Sequence, residues 1–93
     1  MKNEKEKYKK MFNIVREELN IIDPIGVVCD NENLNDEYDL ENQEILAVIK
    51  NYTDYKEFAE KICEIFVKST NIKLNPEEFY KCAKNILERT KNI

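Results

Sequence analysis

One glycine and two prolines in 93 residues leave this chain few places to turn tightly. A fold of many short strands needs a reversal about every ten residues, and glycine and proline are the residues that supply it most readily. Helices need far fewer reversals. The chain is also 37% charged and 42% apolar, a balance in which long charged side chains cover solvated helical faces while the apolar residues fill one core. These features predict an all-α fold.

A chain of this length fits one domain, so residues 1–93 are read as a single helical domain. Folding at this size hides only roughly 60 to 65% of the surface exposed in the unfolded chain, which commits most apolar residues to the core. Little volume is left for an internal ligand cavity. No apolar run approaches the roughly 18 residues a membrane span requires, and Met1 to Lys10 is charged and lacks an apolar signal core. The expected location is cytoplasmic. Cys29, Cys63 and Cys82 are odd in number and widely spaced, which predicts free thiols, with Cys63 and Cys82 as small packing residues.

Tyr8, Met11, Phe12, Val15, Leu19 and Ile22 recur at helical spacing and predict a first helix from about Lys5 to Leu19. Pro24 should stop it near Asp23, and Asp23-Pro24-Ile25-Gly26 has the residue preferences of a type I turn. Residues 27–38 show no sustained period, with Asn31, Asn33 and Asn35 interrupting any helix, so they read as a loop. Ile25, Val27 and Val28 could pin its start to the core. A second helix should begin at Asp39 as cap, with Glu41 favourably placed for the helix dipole and Ile45, Leu46, Val48, Ile49 and Tyr52 buried. Asp54 and Glu57 make a capping box for a third helix, whose stripe is Tyr55, Phe58, Ala59, Ile62, Ile65 and Phe66. The clearest start signal comes last: Asn75 as cap, Pro76 in the first helical position, Glu78 closing the box and Leu74 stapling against Phe79. This fourth helix should run to about Thr90 with Phe79, Tyr80, Cys82, Ala83, Ile86 and Leu87 inward. The expected architecture is a compact bundle of about four helices with one long acidic loop between helices one and two.

The chain has no histidine, which removes the commonest general base and the commonest metal ligand. Ser69 is the only serine, and Gly26 alone cannot make a phosphate-binding loop. No cofactor, metal or catalytic residue is expected. Residues 30–41 have the length of a calcium loop with acids at the first, third and twelfth positions, but Leu34 occupies a ligand position and Asn35 the position of the turn-making glycine. An enzyme working with paired carboxylates has no supporting spacing.

Charge is the most informative remaining feature. Residues 17–49 carry ten acids and no Lys or Arg, whereas residues 1–16 carry a net charge of plus four and residues 50–93 plus two. The acidic third can be a solvated loop with helix-capping acids, or a docking surface for a basic protein; it would repel nucleic acid.

Asp23-Pro24-Ile25-Gly26, followed by Asp36-Glu37-Tyr38-Asp39-Leu40-Glu41 and an apolar helix ending in Ile65-Phe66, resembles the YugE-like domain-of-unknown-function family 1871, over residues 8 to about 70. That resemblance implies a small bacterial helical protein and no particular activity. It makes Asp23, Asp36, Glu37, Tyr38, Asp39 and Glu41, with Pro24 and Gly26, the candidate functional surface. Each also has a structural role open to it: turn, cap, or fastening of the loop. The leading expectation is a non-enzymatic protein-binding module, in specific form an immunity protein neutralising a basic toxin domain. The alternative is a structural or self-associating helical protein, a homodimer through Val67, Ile72 and Cys63, which fall off the main stripes of helices three and four.

Overall fold

The computed structural model describes residues 2–24 and 38–93, with side chains from residue 5 onward. Four helices account for most of them: α1 (Lys2–Ile22), α2 (Asp39–Val48), α3 (Tyr55–Thr70) and α4 (Tyr80–Thr90). Two 3₁₀ turns, Ile49–Asn51 and Pro76–Phe79, precede α3 and α4. No strand occurs among the described residues, so the all-α bundle stands as expected. No helix among them is long and apolar enough to cross a membrane.

The helices follow one another around the bundle. α1 packs on α2 and α4, and α3 packs on the same two from the opposite side. Short connections bring consecutive helices together, and the long connection from α1 to α2 does not change that order. Val15, Leu19, Ile45, Phe58, Ile62, Phe66, Phe79 and Ile86 meet at the centre, fully or almost fully removed from water. Phe66 is the hub: Phe79 stacks on it at 5.5 Å between ring centroids, and Tyr38 meets it edge-on at 5.3 Å.

Local chemistry sets the helix ends. The Asp23 N–H closes on Leu19 O at 2.9 Å, and Asp23 itself turns left-handed at φ 42°, so α1 stops on a left-handed residue directly before Pro24. A short polar side chain tolerates that conformation better than most non-glycine residues. The remainder of the expected type I turn, with Ile25, Gly26, Val27 and Val28, lies outside the described residues. Asp54 caps α3 by accepting from the Lys56 N–H at 3.0 Å, and Asn71 ends it left-handed at φ 60°, its N–H bonded to Val67 O. At the last helix, Glu78 accepts from the Asn75 N–H at 2.9 Å, as a capping box requires.

Three expectations are corrected. Asp39 does not cap α2: it is the first helical residue, Tyr38 precedes the helix without a side-chain cap, and the Asp39 carboxylate turns to Arg16 instead. A guanidinium offers that carboxylate a two-point charged contact, stronger than the backbone amides can supply. Pro76 opens a 3₁₀ turn, and the α-helix begins only at Tyr80. Cys63 is buried and donates to Leu74 O at 3.3 Å, so it belongs to the core and cannot serve a dimer face. Of its two companions there, Val67 is half-buried and only Ile72 is exposed.

Candidate functional site

Of the residues expected to face a partner, Asp23, Tyr38 and Asp39 make contacts that tie α1 to α2. Tyr38 is 2% exposed, and its hydroxyl donates to the Asp23 carboxylate. One residue later, Arg16 grips Asp39, with Nε donating to Oδ1 at 3.1 Å and Nη2 to Oδ2, while its guanidinium lies 5.2 Å from the centre of the Phe12 ring. Glu41 is 8% exposed. The Tyr38–Asp23 and Arg16–Asp39 contacts join the end of α1 to the start of α2 across fifteen and twenty-three positions of chain. Asp36, Glu37, Gly26 and Cys29, and all of the calcium-like spacing before Tyr38, lie outside the described residues. Tyr38 and Glu41 are both buried and so offer little surface to a partner. Asp39 is already engaged.

The bundle has a second polar joint, between α1 and α4. Glu18 is buried, accepting from Arg89 Nη1 at 2.9 Å and from Asn85 Nδ2 at 3.2 Å, and Arg89 Nη2 reaches the exposed Glu17 at 2.8 Å. The hydrogen bonds to Glu17 and Glu18 raise the Arg89 guanidinium further above its already high range. Cys82 sits in the core near this joint. Burial first and the Glu18 charge second push its thiol up to about 12. Burial also raises the Cys63 thiol, with Glu78 adding to it. Both thiols are thus protonated at neutral pH and shielded, the opposite of an activated nucleophile. Among the described residues no three His, Cys, Asp or Glu side chains gather as a metal cluster would.

A further concavity lies elsewhere. It is an open groove of about 530 Å³ between the early turns of α1, the α2–α3 link and the end of α4. Met11, Ile49, Tyr52 and Leu87 form an apolar floor, and Thr53 and Thr90 edge it. Three of the four floor residues, Met11, Tyr52 and Leu87, are only half-buried. Lys7, Lys50 and Lys91 stand on the rim, all exposed, with Glu88 as the acid beside them. Among the described residues, none of these three lysines makes an ion pair. A second concavity of about 230 Å³ between α2 and α3 differs in kind, since its Lys61 is already paired with Glu64 at 2.9 Å.

Sequence reasoning overlooked this groove. Met11, Ile49, Tyr52 and Leu87 all sit on the predicted core stripes, and periodicity cannot separate a residue at the centre of a core from one at its open end. A signal was nonetheless present. The rim lysines all come from the two cationic stretches that flank the acidic third, and folding brings the start of one together with parts of the other. Comparisons with protein-family models, with curated proteins and with solved structures return no significant match.

Proposed function

We propose that this protein is a non-enzymatic protein-binding module whose contact face is the groove between α1, the α2–α3 link and α4. The observation that carries the reading is an apolar floor left open to solvent beneath three exposed lysines that have no ion-pair partner among the described residues. Half-buried aromatic and aliphatic side chains ringed by charge are what a partner's anchor residues fill and what a rim then orients. A catalytic reading is weaker: the chain has no histidine, and its described thiols are protonated and enclosed.

An immunity protein held in the bacterial cytoplasm, blocking a toxin domain, is the specific form we favour. The contact face moves from the acidic stretch to the groove, and the complementary toxin surface becomes acidic. The likeness of Asp23 to Gly26 and Asp36 to Glu41 to the YugE-like family enters this proposal as one of fold alone. Its best described positions, Asp23, Tyr38 and Asp39, serve a joint, which is reason enough for a folding unit to carry them.

A photo-crosslinking amino acid placed at Thr53, exposed beside the groove, and separately at Glu60, exposed on α3, tests the reading in native cell lysate. A protein joined from Thr53 and not from Glu60 is the expected result. Equal or absent crosslinking from the two positions rejects the groove as a contact face.

A further inference from the structure

Resting on the reading of the groove as a protein contact face, we infer that its occupant is an acidic amphipathic helix of the partner, seated with its apolar ridge on Met11, Tyr52 and Leu87 and its carboxylates toward Lys7, Lys50 and Lys91. The charge distribution argues for it. The chain as a whole is negative by four, yet the rim of this groove carries three cations against Glu88 alone among the described residues. These cations were not drawn there by partners of their own, since none of them is paired within the described fold. An approaching acidic surface would be attracted to this rim, which favours the groove as its docking face.

The shape narrows the occupant further. The three lysines belong to three separate elements, the early part of α1, the 3₁₀ turn Ile49–Asn51 and the residue just after α4, so positive charge borders the apolar floor from several sides. An acyl chain brings one charged end and would leave most of that rim unanswered. A helix with apolar residues at spacings of three and four and acids on both flanks answers the floor and the rim together. The groove is open rather than enclosed, with a volume inside the range of sites that hold a compact set of anchor side chains. Met11 adds an adaptable thioether surface suited to receiving aliphatic anchors of varied shape.

The test uses the full chain as bait for a displayed library of helical peptides with a fixed leucine stripe and randomised flanking positions. A second selection uses the Lys7→Glu, Lys50→Glu, Lys91→Glu protein, whose circular dichroism melt is checked first; all three sites are exposed, so the fold is expected to be retained. The expected result is enrichment of Asp and Glu on the flanks with the natural bait and of Lys and Arg with the reversed bait. Peptides from the first selection should bind the reversed protein at least about tenfold more weakly, and their amide-shift footprint should centre on the groove. Identical peptides from both baits, or a footprint elsewhere, would overturn the inference. So would binding of anionic phospholipid vesicles in the groove with no peptide selected. If the Thr53 crosslink captures a protein through a surface that is not an acidic helix, the contact-face reading survives and this occupant fails.

Discussion

Tyr38 performs two tasks that one substitution can separate. Its ring stands edge-on to Phe66 in the core, and its hydroxyl donates to the Asp23 carboxylate, holding the start of α2 to the end of α1. Tyr38→Phe keeps the ring and removes the donor to a charged acceptor, so urea denaturation should register a loss of about 1.5–2 kcal/mol. Tyr38→Ala also empties the space beside Phe66 and should cost about 3–5 kcal/mol. Equal stability of the Phe variant and the natural protein would show that the hydroxyl bond contributes nothing net. Cys82 supplies a different test. Its folded-state thiol is raised to about 12 from an ordinary value of 9.0, so between those values the folded chain binds more protons than the unfolded one. The resulting stability is complete below about pH 9 and is lost as pH rises toward 12, with a slope of at most about 1.4 kcal/mol per pH unit from this group. Denaturation at pH 8 and pH 10.5 should therefore show a smaller alkaline loss in Cys82→Ala than in the natural protein. Parallel losses in the two would refute the assignment.

At the scale of elements, each pair of neighbouring helices that is not tightly linked in sequence has a charged joint. Arg16 on Asp39 ties α1 to α2, and Arg89 on Glu18 and Glu17 ties α4 to α1. The two acids on Arg89 differ in setting, since the Glu17 side chain is 61% exposed and that of Glu18 is 8% exposed. Water competes for the first and hardly reaches the second. Glu17→Ala should change stability by less than about 0.5 kcal/mol. Glu18→Ala leaves Asn85 without that acceptor and Arg89 with only its outer partner, and should cost about 2 kcal/mol. Thermal melts of the two variants decide the matter, and a Glu17 variant as unstable as the Glu18 variant would reverse the assignment. Asn42, fully buried on α2, donates from Nδ2 to Phe12 O at 2.9 Å and so binds α2 to α1 from inside, while its Oδ1 has no partner among the described residues.

At the scale of the molecule, the side chains on the outer faces of the described helices bear on association. Outward positions of α3 and α4 are charged, including Lys56, Glu60, Glu64, Lys68, Lys81, Lys84 and Glu88, while the exposed large apolar residues among those described are spread over three segments: Tyr8 and Ile21 near opposite ends of α1, Leu40 on α2, and Ile72 just after α3. A face for self-association through α3 and α4 is therefore poorly supplied with apolar surface. Sedimentation equilibrium at high protein concentration should return the mass of one chain; a dimer would revive self-association as the function and would have to be located against the groove.

How far a sequence can be read depends on how local the cause is. The existence of four helices, the Asp54 cap and the Asn75–Glu78 box were legible because each rests on residues a few positions apart. Burial of Cys82, Phe58 and Ile86 followed from helical periodicity for the same reason. The fate of the acidic motif could not be read that way. Whether Asp39 caps a helix or pairs with Arg16 is settled by a residue twenty-three positions away, and whether Tyr38 faces water or Phe66 by one on another helix. The groove is more remote still, since its floor and rim are assembled from elements at both ends of the chain. Local backbone preference and side-chain spacing determined the elements of this protein; competition among distant charges and rings for a limited set of partners, which exists only once the helices are packed, decided which residues became joints and where apolar surface was left open.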